Sequence, residues 1–311
     1  MLFAQNALPS ARIEQSRRFD IDPTLRRGEE GVEVAPQVQG ESPATPGDND
    51  IGVQAILNRK EAPKEFTVFG HAAAYYTSNA FLIKNNPIND RFVNAEAGLS
   101  YNPKFTERFS GDVTVKQQFF RYDNNQVLDF DGQNASCGLM YLIQEFWDTA
   151  AFARYTYTRL TRANDLVDGE SGTEFYKNSG VMIGLQKAYE FSKAHAAFAG
   201  VSAEFGFTDW QDDNIPNPQR DEYALFAGYQ ASITRSFDAQ TFYRLALSDY
   251  NDQGGRQDLN QIISLGLSYK FTDWLSVHGT TSWTFNNSNR PAVGDYDALN
   301  TGGSLGVNYK F

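Results

Sequence analysis

Apolar and polar side chains alternate with a period of two residues through most of the chain after residue 64. Residues 303–311 show this most clearly, because Leu305, Val307, Tyr309 and Phe311 share one parity while small or polar residues take the other. In a β-strand, such alternation places an apolar row on one face of the sheet and a polar row on the other. The pattern therefore predicts strands that each separate an apolar from a polar environment.

The same alternation recurs in twelve segments, which we interpret as antiparallel strands. The predicted strands are 65–78, 91–102, 106–122, 134–146, 149–161, 175–190, 194–208, 221–235, 239–250, 258–271, 274–286 and 299–311. Successive strands are joined in turn by a short connection and by a longer one rich in Asn, Asp, Gly and Pro, which are residues typical of loops. The spacing indicates a hairpin repeat of about 40 residues.

The overall composition is polar, yet it is rich in aromatic residues. The mean hydropathy is -0.50, and no stretch of about 18 apolar residues, as a membrane-spanning helix requires, is found. The 24 Phe and 16 Tyr fit a membrane barrel, in which a polar lumen face alternates with a lipid face and aromatic residues mark the two interfaces. A soluble β-sandwich is the alternative fold.

The terminal strand that ends in Phe311, and the order of short turns and long loops, resemble those of bacterial outer-membrane β-barrel proteins. The resemblance implies an all-β fold, a transmembrane antiparallel up-and-down β-barrel of about 12 strands, in the outer membrane of a Gram-negative bacterium. It also implies that the short turns and both termini of the chain are periplasmic, that the long loops are extracellular, and that the barrel contacts outer-membrane lipid and lipopolysaccharide. By this resemblance, Leu305, Val307, Tyr309 and Phe311 would form the β-signal that the barrel-assembly machinery reads.

Residues 1–63 differ in composition from the barrel, which we assign to residues 64–311. Residues 28–50 are acidic and rich in Gly, Pro and Glu, a composition that buries too little apolar area to offset the ordering of the chain. We predict that 1–63 is a flexible periplasmic arm, with residues 1–5 as the hypothetical end of a signal peptide. Two alternatives are that the apolar stretch 51–57 forms a strand or plug, and that the arm binds a protein partner.

The polar parity of the strands supplies the candidate lumen-lining residues. They include both charge signs and two histidines: His71, Glu96, Asp112, Lys116, Arg154, Gln186, Glu204, Gln230, Arg244 and His278. One interpretation is a narrow hydrated lumen in which opposed charges orient polar solutes. The other is a closed barrel filled by these side chains. If the arm entered the lumen, its arginines could meet Glu96, Asp112 and Glu204 and close it.

The sequence offers little support for catalysis or for a bound cofactor. Among barrels of this class, the twelve-stranded outer-membrane phospholipase is an enzyme, but its sequence motif is absent here. His71, His195 and His278 also have no evident Ser partner at the loop end. The loops carry many carboxylates, without the spacing of a calcium loop. We therefore expect no catalytic, cofactor or metal site, and Cys137 has no disulfide partner. A net charge of -11 argues against nucleic-acid binding.

Two functions remain open at this stage. The first is an outer-membrane channel for passive diffusion of small polar or charged solutes. The second is a closed barrel that serves as an anchor or scaffold for a partner held by residues 1–63 or by the acidic loops.

Overall fold

Twelve antiparallel strands close into a single barrel, in which each strand pairs with its neighbours in the chain and β1 pairs with β12. The strands are β1 Phe66–Thr77, β2 Asp90–Tyr101, β3 Phe109–Tyr122, β4 Phe130–Ile143, β5 Thr149–Arg162, β6 Glu174–Ser192, β7 His195–Thr208, β8 Arg220–Ser232, β9 Phe237–Tyr250, β10 Arg256–Lys270, β11 Leu275–Ser288 and β12 Tyr296–Lys310. Closure leaves the sheet without an edge, which satisfies the backbone hydrogen bonds inside a bilayer.

This computed structural model describes residues 2–25, 64–166, 171–210 and 216–311. The predicted all-β barrel of twelve strands is confirmed, and the strands lie close to their predicted positions. The largest difference concerns β4, and one end of β3, β8 and β12 differs by three residues. β4 starts at Phe130, four residues early, and ends at Ile143, where a 3-10 turn over Gln144–Phe146 replaces the predicted end. β12 starts three residues early, at Tyr296.

A band of exposed apolar side chains surrounds the outside of the barrel. Among the most exposed are Leu225 at 56%, Leu139 at 50% and Leu305 at 51%. The alternate side chains of the same strands point inward, where many polar residues are buried, as Asn94, Ser248 and Thr284 illustrate. An apolar exterior around a polar interior is the arrangement that a bilayer requires of a barrel.

Phenylalanine rings on the inner wall lie over glycines of the neighbouring strand. Phe198 is the register partner of Gly228, and a Cβ at Gly228 would lie 2.2 Å from the ring. The pair Phe152 and Gly184 repeats this arrangement at 2.4 Å. Because glycine has no side chain, each ring can lie flat against the wall instead of projecting across the lumen.

The two ends of the barrel differ in their connections. One end carries the short turns 102–108, 144–148, 193–194, 233–236 and 271–274, together with Phe66 and Phe311. The other carries the longer loops, one of which contains the short helix α2, Pro291–Gly294. We call these the short-turn end and the long-loop end. Within the described residues, neither helix is both long enough and apolar enough to cross a bilayer.

The helix α1, Leu2–Ile21, lies inside the barrel. The side chains of α1, and of Asp22 directly after it, contact inward-facing residues of strands on all sides of the wall, namely β1, β2, β3, β7, β8, β10 and β11. From their composition, these residues are predicted to belong to a flexible arm. The rest of that arm, 26–63, including the stretch 51–57, lies outside the described residues.

Candidate functional site: the helix in the barrel lumen

An aromatic cluster holds the C-terminal part of α1 against the wall. The Phe19 ring, which is 2% exposed, meets Tyr75, Phe92 and Phe120 edge-to-face, with ring centroids 5.4, 6.2 and 5.1 Å away. Edge-to-face contacts place the positive edge of one ring against the negative face of another, and such pairs contribute beyond their buried area. This cluster is the main apolar anchor that we identify between α1 and β1–β3.

An arginine of α1 lies between two glutamates of the wall. Glu204 of β7 and Glu222 of β8 are register partners, and both face inward. The Arg17 Nη2 atom lies 3.4 Å from Glu204 Oε2 and 3.3 Å from Glu222 Oε1. Like charges directly opposite each other on paired strands repel. The guanidinium of Arg17 therefore compensates a repulsion that is built into the wall.

A glutamate of α1 binds an arginine of the same part of the wall. Arg220 of β8 donates two hydrogen bonds to the Glu14 carboxylate, at 2.6 and 3.2 Å. Arg220 also donates to the Tyr250 hydroxyl at 2.6 Å. A second arginine, Arg256, lies 4.2 Å from the centroid of the Tyr250 ring and forms an ion pair with Asp258. Contacts within the wall thus position the guanidinium of Arg220.

Further polar contacts join α1 to other sides of the lumen. Asp20 forms an ion pair with Lys116 of β3 at 2.8 Å, and Arg18 donates to Thr284 of β11 at 3.0 Å. Asp22, directly after α1, accepts a hydrogen bond from Ser264 of β10 at 2.9 Å. Near the long-loop end, Arg12 donates to the carbonyl of Val127. α1 therefore runs from the long-loop end to about the middle of the wall, fixed by polar contacts on several strands.

The fit between α1 and the wall is incomplete. Gln15 Nε2 and Ser16 Oγ are buried without a hydrogen-bond partner among the described residues. A buried polar group that lacks a partner costs about 1–3 kcal/mol. α1 is thus held less firmly than its number of ion pairs alone would indicate.

Several predicted lumen residues form a network along β1–β3 and at β3–β5. The His71 Nε2 atom lies 2.7 Å from Asn94 Oδ1, and Glu96 accepts from Gln118 at 2.5 Å and pairs with Lys116 at 3.3 Å. Farther along β3, Asp112 pairs with Arg154 of β5 at 3.1 Å. Of the three acids considered as partners for the arm, Glu204 binds an α1 arginine, while Glu96 and Asp112 bind cations of the wall.

The remaining predicted lumen residues are spread along the length of the barrel. Arg244 is buried and donates to Glu222. Gln186 is buried, whereas Gln230 is exposed near the short-turn end. His278 is buried and lies 2.7 Å from the Ser276 hydroxyl. The structure thus brings Glu204 and Arg244 together at α1 and leaves Gln186, Gln230 and His278 apart from it.

Two important residues of this site are missing from the predicted set. Arg220 falls in a predicted loop, and Glu222 lies at the very start of a predicted strand. Both share the inward parity of β8 with Gln230, and Glu222 faces Glu204 in the register. Glu222 already lies on the inward parity of the predicted strand 221–235, and extending that strand by one residue toward the loop would have added Arg220.

The third histidine, His195, lies near a short turn, away from α1. The His195 Nδ1 atom lies 2.7 Å from the Tyr229 hydroxyl on exposed side chains near a short turn. Among the described residues, no group of three or more His, Cys, Asp or Glu side chains could hold a metal ion. Cys137 is exposed on β4.

Loop carboxylates make contacts with the loops themselves. Lys84 binds Asp295 at 2.6 Å, and the Ser288 N–H donates to it at 2.8 Å. These hydrogen bonds lower the pKa of Asp295 below its usual value, Lys84 contributing most. Burial instead raises the pKa of Asp129, although this carboxylate accepts a hydrogen bond from the Tyr122 N–H.

The proposed β-signal residues lie on the outer face of β12. Leu305, Val307, Tyr309 and Phe311 are 40–59% exposed. The Phe311 N–H donates to the Phe66 carbonyl at 3.0 Å, and the two rings stack at 5.9 Å. These residues therefore lie at the seam where the last strand closes the barrel against the first.

Comparison with known proteins shows the fold alone. No family model matches the chain, and no curated protein matches it in sequence. An outer membrane channel from Pseudomonas putida F1 is similar in structure, with a TM-score of 0.54 and 9% identity, over 80% of this chain and 97% of that one.

Two further solved structures are similar at lower scores. The translocator domain of the autotransporter NalP from Neisseria meningitidis has a TM-score of 0.44 and 11% identity, over 81% of this chain and 90% of that one. The toluene transporter TodX from Pseudomonas putida has a TM-score of 0.42 and 10% identity, over 79% and 90% of the two chains.

The chain has the fold of a bacterial outer-membrane β-barrel. The closed twelve-stranded wall and the apolar band around it place it in the outer membrane of a Gram-negative bacterium, as the sequence predicts. Closure also excludes the soluble β-sandwich, whose two sheets would remain open.

Proposed function

We propose that this barrel is an outer-membrane channel for passive diffusion of small polar or charged solutes, and that α1 is a removable plug in its lumen. The observation that carries this proposal is that a separate terminal helix occupies the lumen. Barrels of eight strands are just filled by their own side chains, and the interior widens with strand number. Twelve strands enclose a space that requires either water or an inserted element.

The chemistry of the wall supports polar rather than apolar solutes. Glu96, Lys116, Glu204 and Arg244 all lie on the inner face. Ionisable residues at membrane depth are costly, and they usually mark a solute pathway or a water-filled cavity. A wall that carries both charge signs would conduct hydrated solutes once α1 had left.

The contacts of α1 support its role as a plug that can be displaced. Leu8, Ala11, Ile13 and Phe19 pack in an apolar cluster with the wall. The other contacts that fix α1 are ion pairs and hydrogen bonds, and water can replace both when the helix leaves. Strand pairing closes residues 64–311 without any contribution from α1, so loss of α1 would leave the wall intact.

Solute flux through proteoliposomes tests the proposal. We expect the chain without residues 1–63 to pass small sugars, dicarboxylates and diamines while retaining a large dextran, and the full chain to pass the small solutes more slowly. Absence of flux from both chains would contradict the channel. That outcome would favour a closed barrel that anchors a partner.

A further inference from the structure

The wall beside α1 contains two facing carboxylates, of which Glu204 has its ion pair with a residue of α1. Glu204 and Glu222 face each other in the register of β7 and β8, and their side chains are 13% and 3% exposed. Arg244 and Ser248 also donate to Glu222, whereas Arg17 of α1 contacts both carboxylates. Withdrawal of α1 would thus leave a gap between two carboxylates of a size that fits a guanidinium.

A carboxylate site lies next to this pair on the same strand. Arg220 precedes Glu222 by two residues on the inner face, and its Nη2 atom lies 3.7 Å from Glu222 Oε2. Its guanidinium holds the Glu14 carboxylate by two hydrogen bonds, the geometry in which arginine recognises carboxylates most specifically. Tyr250 keeps this guanidinium in place from the wall side.

Arg17, which lies between the two glutamates, and Glu14, which binds Arg220, are on the same face of α1. Glu14 and Arg17 are three residues apart, and residues at this spacing are neighbours on a helix surface. Glu204, Glu222 and Arg220, which we call the wall site, therefore bind a carboxylate and a guanidinium that lie close together. That is the pattern of a small zwitterion.

We infer that the wall site recognises zwitterionic solutes that carry a carboxylate and a guanidinium or ammonium group, with α1 as their internal competitor. This inference rests on the channel function and names the class of solute. A solute that binds the wall site takes over the partners of Glu14 and Arg17 and thereby weakens the hold of α1. Solutes that match the wall site therefore displace α1 most readily.

Binding of L-arginine to the full chain in detergent tests this inference. In Glu14→Ala/Arg17→Ala, both halves of the wall site lose their occupants while Phe19 and Arg18 still hold α1. We expect isothermal titration to show L-arginine binding about tenfold tighter or more to this variant than to the unmodified chain, since a hydrogen bond to a charged group contributes at least that factor.

Two ligands and one further variant identify the groups involved. Agmatine keeps the guanidinium but has no carboxylate, and citrulline keeps the carboxylate but has a neutral urea. We expect each to bind the double variant much more weakly than L-arginine does. Adding Glu204→Gln is expected to weaken L-arginine binding. Equal binding of the three ligands, or binding that Glu204→Gln leaves unchanged, would overturn the inference.

A single substitution covers the case in which the double variant does not fold. Arg17→Ala alone keeps Glu14 on Arg220 and leaves a vacancy between the two glutamates. We expect methylguanidinium to raise the Tm of this variant and to leave the Tm of Arg17→Ala/Glu204→Gln unchanged; no difference between them would overturn the inference. Solute flux without L-arginine binding would refute the wall site alone, whereas L-arginine binding without flux would refute the channel.

Discussion

Glu14 of the lumen helix accepts two hydrogen bonds from Arg220 of the barrel wall, at 2.6 and 3.2 Å. The pair joins residues 206 positions apart in the chain. It shows that the N-terminal segment is a structural part of the barrel interior. The consequences of this contact, and of those around it, can be measured separately.

The first prediction concerns this ion pair. Glu14→Gln leaves the guanidinium of Arg220 without its carboxylate, and we expect the docked state of α1 to lose about 1.5–3 kcal/mol, the contribution of a hydrogen bond to a charged group. Amide hydrogen exchange in α1 would then accelerate about tenfold or more, since 1.4 kcal/mol corresponds to a factor of ten.

A glutamate on the outer surface provides the control for Glu14→Gln. Glu174 binds Arg159 at 2.5 Å, and both side chains are 36% exposed. Removing an exposed pair of this kind costs little, and this one does not touch α1. If Glu174→Gln accelerated exchange in α1 as much as Glu14→Gln does, the assignment of Glu14 to the lumen contact would be refuted.

The second prediction concerns the aromatic anchor. Phe19→Ala removes a ring that contacts three others, and replacement of a buried phenylalanine by alanine costs about 3–5 kcal/mol. We expect α1 to undock while the barrel keeps its strands. Exchange of the α1 amides should rise to near that of an unstructured segment, and exchange of the strand amides should not change.

Phe207 is the matched control for Phe19. It lies on the outer face of β7 and is 59% exposed. Because its ring faces the membrane, Phe207→Ala should leave exchange in α1 unaltered. Equal protection of α1 in Phe19→Ala and in the unmodified chain would contradict the role of the aromatic cluster.

The strands could be predicted from the sequence because a bilayer imposes a strict alternation on each of them. β7 has an apolar outward row without interruption from Ala197 to Phe207, which includes Ala199, Val201 and Ala203. The strand ends were harder to predict, because outside the membrane both faces are polar and the alternation disappears. Arg220 lies in this zone and was missed for that reason.

The helix α1 could not be found by the same reasoning. Most buried helices reveal themselves through an apolar stripe, but only part of the wall around α1 is apolar, and its polar part contacts Glu14, Arg17, Arg18 and Asp20. A helix in such a lumen needs no stripe, and its sequence looks like that of a solvated segment. The charge complementarity of its arginines to Glu204 was the one available signal.

The third prediction concerns the lumen wall and ion selectivity. Arg154 faces inward on β5 and pairs with Asp112. Arg154→Ala removes a positive charge and exposes this carboxylate, so we expect a conducting barrel to shift toward cations. The measurement is the reversal potential in a salt gradient, using the chain without residues 1–63.

Arg159 on the same strand is the control for this experiment. It is also an arginine with a carboxylate partner, but it faces outward. Arg159→Ala should leave the reversal potential unchanged. If both substitutions shift it equally, or if neither does, the assignment of Arg154 to the conduction path is incorrect.

The fourth prediction concerns the assembly signal. Phe311 and Phe271 are aromatic residues at the short-turn end whose exposed fractions are 53% and 59%, but Phe311 also donates to the Phe66 carbonyl at the seam of the barrel. We expect Phe311→Ser to lower the amount of barrel in the outer membrane of cells far more than Phe271→Ser does. Refolding of the two variants in detergent should be similar, and equal levels in cells would argue against a terminal signal.

The central claim is that α1 closes a channel that the twelve strands enclose. Single-channel conductance in planar bilayers, compared between the full chain and the chain without residues 1–63, tests it most directly. We predict a low or intermittent conductance for the full chain and a larger, steady one after the deletion. The same conductance for both chains, or none for either, would contradict the claim.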